Sequence, residues 1–271
     1  MLTIRASMLP NYADCPRRGI SKILKRELTG YTFNRSPQSI AALVGTAFHA
    51  GAGNIMQFKL ADLKFNQSDA EEVSIENLRS NLESSATEFD AVTPTTNTGE
   101  KQIRTLINSF IHEAEPSIFP ALPPEYSRRA ACSPVLHFPA DTELSGHLDV
   151  ETSGNEIIDF KTGKSAYFQS QMGAYSLLKK SVEKKSAGKL TVWYFPRVAL
   201  SKPYPGASAI SYPVVYSEKI AFNTMQFIAR DINNFMKSGD PDCIACNPKS
   251  NLCSEKFCMA FNTEFCRITL K

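Results

Sequence analysis

The chain has 271 residues, with 42% apolar and 21% charged side chains and a formal net charge of +3. That length suits one large domain or two small ones, and the composition is that of a folded globular protein, not a disordered or fibrous one. The mild positive charge permits contact with nucleic acid without arguing for it. With 13 glycines and 16 prolines the chain is neither collagen-like nor low in complexity. No apolar run approaches the roughly 18 residues of a membrane helix. Residues 1–18 hold no apolar core ahead of a small-residue cleavage site, so no secretory signal is read. The expected compartment is the cytoplasm, where clustered cysteines point to metal binding and not to disulfides.

No internal repeat is present. Residues 1–30 read as helical after a Ser7 cap, with a turn over 12–18. A second helix is predicted over 37–58, where Ile40, Leu43, Ala47 and Ala50 follow a step of three to four. Residues 66–92 are polar with weak helical periodicity, 93–99 form a loop and 100–114 another helix. The character changes near residue 127. Segments 128–138, 142–152 and 155–161 read as strands, separated by turns at 139–141 and 153–154. A helix follows over 167–180, then short strands over 189–196 and 209–215. Ala221, Met225, Ile228, Ile232 and Phe235 step by four and three along a long amphipathic helix. Beyond Gly239 the chain is a cysteine-rich tail. The expected organisation is one α/β domain over 1–271: a mainly helical part (1–120), an α/β catalytic core (121–238) and a tail (239–271).

Polar groups occur in the strands where packing alone would not place them. Asp149 lies in Gly146-His147-Leu148-Asp149, and Asp159 and Lys161 in Asp159-Phe160-Lys161-Thr162-Gly163. Side chains alternate along a strand, so Asp159 and Lys161 share one face and Ile158 and Phe160 the other. A hairpin turning at Ser153-Gly154 would bring Asp149 and Asp159 together. Two carboxylates in one cleft repel unless a cation lies between them, and hard oxygen ligands suit Mg²⁺ or Mn²⁺. A lysine on the same face can hold an attacking water or offset charge on a phosphate. This is the chemistry of metal-assisted phosphodiester hydrolysis. A lone Asp-x-Lys, by contrast, is usually an exposed ion pair.

Four ordered segments make the pattern more specific: Gly45-Thr46-Ala47-Phe48-His49, Gly146-His147-Leu148-Asp149, Asp159-Phe160-Lys161-Thr162-Gly163, and Gln171 followed four residues later by Tyr175. Together they resemble the PD-(D/E)XK nucleases, in particular the RecB-like branch that includes phage exonucleases and CRISPR-associated adaptation nucleases. The resemblance implies a restriction-endonuclease-like mixed sheet flanked by helices, with helical additions. It also implies that His49, Asp149 and Asp159 hold Mg²⁺ or Mn²⁺ together with the Phe160 carbonyl. Lys161 would position or deprotonate the attacking water. Gln171 and Tyr175, at i and i+4 on one helix face, would lie beside it. The proline of the family's name is Leu148 here.

Five of the seven cysteines cluster in the tail: Cys243, Cys246, Cys253, Cys258 and Cys266. Their density argues for a metal site, and the spacing alone does not separate zinc from iron–sulfur. Many RecB-like nucleases bind a 4Fe-4S cluster between an N-terminal cysteine and the C-terminal tail. By that resemblance Cys15, Cys253, Cys258 and Cys266 are the expected ligands, forming a clasp, with Cys243 and Cys246 as alternatives. Cys132, in a predicted strand, reads as a buried apolar thiol.

The basic pairs Arg17-Arg18, Arg128-Arg129, Lys179-Lys180 and Lys184-Lys185, with Lys22, Lys25 and Arg26, are candidate phosphate contacts or plain solvated charge. Tyr167 and Phe168 are placed to stack on a base or to pack the next helix. The resemblance implies a metal-dependent deoxyribonuclease, an exonuclease acting on single strands or duplex ends. Its setting would be DNA recombination, repair or replication in a bacterial or phage-infected cell, with a partner protein from those processes. Two rival classes share the features: a catalytically inactive DNA-binding accessory subunit, and a zinc-stapled nucleic-acid adaptor whose working element is the tail.

Overall fold

The computed structural model describes residues 2–25, 28–34, 37–131, 142–163 and 168–267. Arg26, Cys132, Tyr167 and the turn expected at 139–141 lie outside them. Among the described residues no helix is long and apolar enough to cross a membrane. Strand β1 (Leu2–Arg5) leads through one 3-10 turn into α1 (Leu9–Asp14) and α2 (Pro16–Ile23). Three helices follow: α3 (Ile40–Leu60), α4 (Gln67–Ser84) and α5 (Thr96–Ser109). The two-residue strands β2 (Gln38–Ser39) and β3 (Thr87–Glu88) pair beside them in parallel.

Caps set the starts of these helices. Side chains of Ser39, Asn66 and Thr95 accept from the N–H groups of Ala42, Ser68 and Thr98. The Thr95 cap starts α5 inside the stretch expected to be a loop. The N-terminus also differs from its helical reading, because Leu2–Arg5 pairs in parallel with Thr142–Ser145. Four residues are too few to show a period, and the partner lies some 140 residues away. No local signal marks that strand.

The second half begins with β4 (Tyr126–Ala131) and β5 (Thr142–Leu148), which are antiparallel. Beyond β5 the chain bends at Asp149 and continues as β6 (Val150–Glu151). The bend hands the chain from one sheet to another. Strands β1, β5 and β4 form the first, in the order β1-β5-β4. The second runs β6-β7-β8-β9, with β7 (Glu156–Thr162), β8 (Lys189–Phe195) and β9 (Ser208–Tyr212). Strands β7 and β8 are parallel and the other pairs antiparallel, so the sheet is mixed. Helix α6 (Gln169–Glu183) makes the crossover between them, and α7 (Val214–Ser238) stops at Gly239, whose φ is +68°.

Alternation along β7 and β8 serves two cores, one on each face of the second sheet. Ile157, Leu190, Val192 and Tyr194 pack with α1, α6, α7 and the tail. Ile158, Phe160 and Phe195 pack with α3 and α5, where Phe48 and Phe110 complete an aromatic cluster. Fully burying each such ring contributes roughly 1.5–3 kcal/mol. Helices therefore flank a central mixed sheet, the α/β architecture expected. The expected hairpin is also present, with Val150 opposite Ile158. It fixes Asp149 at a sheet junction beside Phe160 in the middle of β7.

Candidate active site

Three segments converge at that junction. Helix α3 supplies His49, flanked by Gly45 and Gly53. A Cβ on Gly45 would come within 2.7 Å of Thr162 Oγ1, and one on Gly53 within 3.3 Å of Glu125 Cγ. The bare helix face thus lets β7 and the loop before β4 approach closely. His49 Nδ1 lies 3.0 Å from Glu125 Oε1 and 3.4 Å from Asp149 Oδ1. Asp149 is buried, and its Oδ2 accepts from the Phe160 N–H at 2.6 Å.

Asp159 is 1% exposed and makes an ion pair with Lys161. Its Oδ1 accepts from Gln171 Nε2 at 3.2 Å, and the same amide lies 2.7 Å from the Tyr175 hydroxyl. The i residue of α6 thus reaches the carboxylate, and the i+4 residue holds that amide. They can do so because Gly146 has no side chain: a Cβ there would meet Leu178 and Tyr175 at 2.7 and 2.9 Å. Lys161 Nζ also stands 5.1 Å over the Phe168 ring. Gly45, His49, Asp149, Phe160 and Lys161 line one open cleft of about 620 Å³.

The electrostatics follow from burial and crowding. Burial pulls the His49 pKa down, but the charges and hydrogen bonds of Asp149 and Glu125 outweigh it and raise the pKa to about 10. Burial raises that of Asp159 to about 6, aided by the Asp149 charge and opposed by Lys161. Asp149 is held below the usual carboxylate range despite its burial, by His49, by Lys161 and by the Phe160 N–H. Lys161 is held above its ordinary value by Asp159 and Asp149, against its burial.

Glu125 is the residue that sequence reading missed. It follows a proline-rich stretch, belongs to no motif and reaches the site only through the tertiary fold. Its φ of +56° is left-handed, and its N–H donates to the Asp149 carbonyl at 2.9 Å. Its second carboxylate oxygen lies 2.7 Å from His147 Nε2, whose ring also lies 3.0 Å from Ser127 Oγ. One ligand atom each from His49, Glu125 and Asp149 fall within 4.8 Å of one another. An imidazole nitrogen with two carboxylates is a donor set suited to a divalent cation, so the residues fit such an ion.

The tail returns to the N-terminal helices. Asn247 Nδ2 donates to the Asp14 carbonyl, Ser250 Oγ to the Asp14 carboxylate, and the Arg17 N–H to the Ala245 carbonyl. Cys246 and Cys266 sulfurs lie 3.6 Å apart, and the Asn247 N–H donates to Cys15 Sγ. Burial pushes the Cys266 thiol up to about 12, with Cys246 adding to it, and raises Cys253 and Cys258 as well. Cys243 stands apart, exposed and beside Ser238.

Arg17 and Arg18 differ from the solvent-facing phosphate contacts considered above, because both are buried against this tail. Arg17 donates twice to the Ile244 carbonyl and Arg18 pairs with Asp14. Arg18 lies close enough to Cys253 and Cys258 to favour their thiolates, and Arg17 does the same for Cys246 and Cys266. Yet Arg18 Nε and Nη1 have no hydrogen-bond partner among the described residues. Unpaired buried donors beside thiols fit an anionic thiolate centre. Lys179 is also buried, between Glu151 and Glu183.

The profile of the family described as the PD-(D/E)XK nuclease superfamily matches residues 4–254. A crystal structure of a "Putative exonuclease" from Eubacterium rectale superposes with a TM-score of 0.52 at 11% identity, over 87% of this chain and 80% of that one. That is a likeness of fold. A second solved structure, SSO0001, reaches a TM-score of only 0.27 at 11% identity, over 77% of this chain and 83% of that one. No protein of curated function matches significantly.

Proposed function

The chain belongs to the PD-(D/E)XK nuclease superfamily, and from that premise we propose that it is a divalent-metal-dependent deoxyribonuclease acting as an exonuclease. The observation that carries this reading is the meeting of His49, Asp149 and Lys161 on one cleft, with Asp159 buried behind it and paired to Lys161. His49, Asp149, Asp159 and the Phe160 carbonyl would hold Mg²⁺ or Mn²⁺, which when bound would supply Lewis acidity at the phosphate and make a water more acidic. Lys161 is the charged donor at the cleft, kept protonated by Asp159 and Asp149. It orients the water and offsets charge on the phosphate. Gln171, itself bonded to Tyr175, holds Asp159, and through it Lys161.

An anionic strand suits the surroundings. A neighbouring cleft of about 350 Å³ shares His147 with the first and carries Arg5, Arg129, Ser127 and Ser145. We assign the protein to recombination, repair or replication of DNA in the cytoplasm, where the free cysteines stay reduced. We further propose a 4Fe-4S clasp on Cys15, Cys253, Cys258 and Cys266. Zinc is the alternative, which iron, zinc and labile-sulfide analysis separates.

The test is degradation of end-labelled single- and double-stranded DNA by anaerobically purified protein with Mg²⁺, Mn²⁺ or EDTA. Cleavage is expected only with a cation, and Lys161→Ala is expected to reduce it about 10²–10⁴-fold while leaving the fold intact. The product ladder reads the polarity. Cleavage by Lys161→Ala at the wild-type rate would overturn the catalytic assignment. An inert but metal-loaded wild type would favour the DNA-binding accessory subunit.

A further inference from the structure

We infer that Glu125 is a direct ligand of the divalent cation, an addition that none of the four motifs supplies. The inference rests on the metal-dependent reading above.

His49 Nδ1 can carry one hydrogen, yet two carboxylate oxygens face it, Glu125 Oε1 at 3.0 Å and Asp149 Oδ1 at 3.4 Å. A single N–H satisfies one of them well and leaves the other short of a partner. A cation placed among the three satisfies all of them. The spacing fits too. Adjacent ligands of an octahedral ion with bonds of about 2.1 Å stand about 3.0 Å apart, close to both separations.

Glu125 is also held in place as a ligand must be. Its backbone N–H is bonded to the carbonyl of Asp149, another ligand. Its other oxygen faces His147 Nε2 at 2.7 Å, and His147 is in turn steadied by Ser127. Metal-bound carboxylates are commonly oriented by such outer partners. The left-handed backbone of Glu125 is one that glycine would adopt without strain, so the side chain carries the reason for a glutamate there. His147 is accordingly a positioning residue.

The experiment is Mn²⁺ binding to the full chain, followed by electron paramagnetic resonance and calorimetry, with the visible spectrum of the Co²⁺-loaded protein as a second readout. Glu125→Gln is expected to weaken Mn²⁺ binding more than about 100-fold and to change the Co²⁺ spectrum. His147→Gln is expected to weaken binding about tenfold and to leave that spectrum in place. Glu125→Gly, which removes the carboxylate and relaxes the backbone, should match Glu125→Gln in binding. Mn²⁺ binding by both Glu125 variants within about threefold of wild type, with the Co²⁺ spectrum unchanged, would overturn the inference. So would a wild type that binds no Mn²⁺. If wild type binds Mn²⁺ through Glu125 but cleaves no DNA, the ligand assignment stands and the nuclease reading fails.

Discussion

One imidazole nitrogen between two carboxylates makes the metal-free protein sensitive to alkali. The folded His49 pKa, about 10, lies above its ordinary value of 6.5. The protonated ring therefore contributes stability that is fully present below pH 6.5 and is lost as the pH rises through about 10. In EDTA, the urea midpoint of wild type should exceed that of His49→Gln at pH 7, and the two should converge by about pH 10.5. A gap that stays constant over that range would mean that the ring is not charged in the fold. At this scale the sequence was informative where chemistry is local. Asp159 and Lys161 share a strand face, and Gln171 and Tyr175 share a helix face, so their spacing alone brings each pair together. Glu125 has no such neighbour in sequence. Its partners His49, His147 and Asp149 come from a helix and a bent strand that only the folded chain brings to it.

Elements meet the site through glycines. On α6, a Cβ at Gly173 would stand 1.9 Å from the Ser217 carbonyl oxygen on α7, and on α3 a Cβ at Gly51 would stand 2.1 Å from Ser74 Oγ on α4. Gly173→Ala gains about 1 kcal/mol of helix propensity. It forces backbone apart, however, and overpacking of that kind costs about 3 kcal/mol or more. The variant should therefore unfold at clearly lower urea, and an unchanged midpoint would show that α7 can slide to accommodate it. The period of α7 and the alternation of β7 and β8 were legible, because each buries a regular face. Strand β1 and the bend at Asp149 were not. The first is set by a partner far along the chain, and the second is a break in a run that reads as one strand over 142–152.

Across the whole molecule, the tail is fixed to the first helices by a nest of thiols and two buried guanidinium groups. Cys246 lies inside this nest beside Cys266, and Cys243 lies outside it. Cys246→Ser should therefore lower metal loading more than Cys243→Ser, read as metal per chain after anaerobic purification. The reverse order would mean that Cys243, and not Cys246, is the thiol able to stand in as an alternative ligand. The sequence flagged the cysteines by their density, but not which of the C-x-x-C pair turns inward, because that depends on how the tail folds after Gly239. The same closure has a consequence for how the protein is made. Cys15 emerges from the ribosome 232 residues ahead of Asn247, which contacts it in the finished fold. At about 5–20 residues per second that interval lasts roughly 10–50 s. Throughout it, α1 and α2 lack the tail that covers them, and Cys15 lacks the Asn247 N–H that meets its sulfur in the finished fold. Oxidants in the cell therefore have a brief opening during synthesis that the completed chain closes.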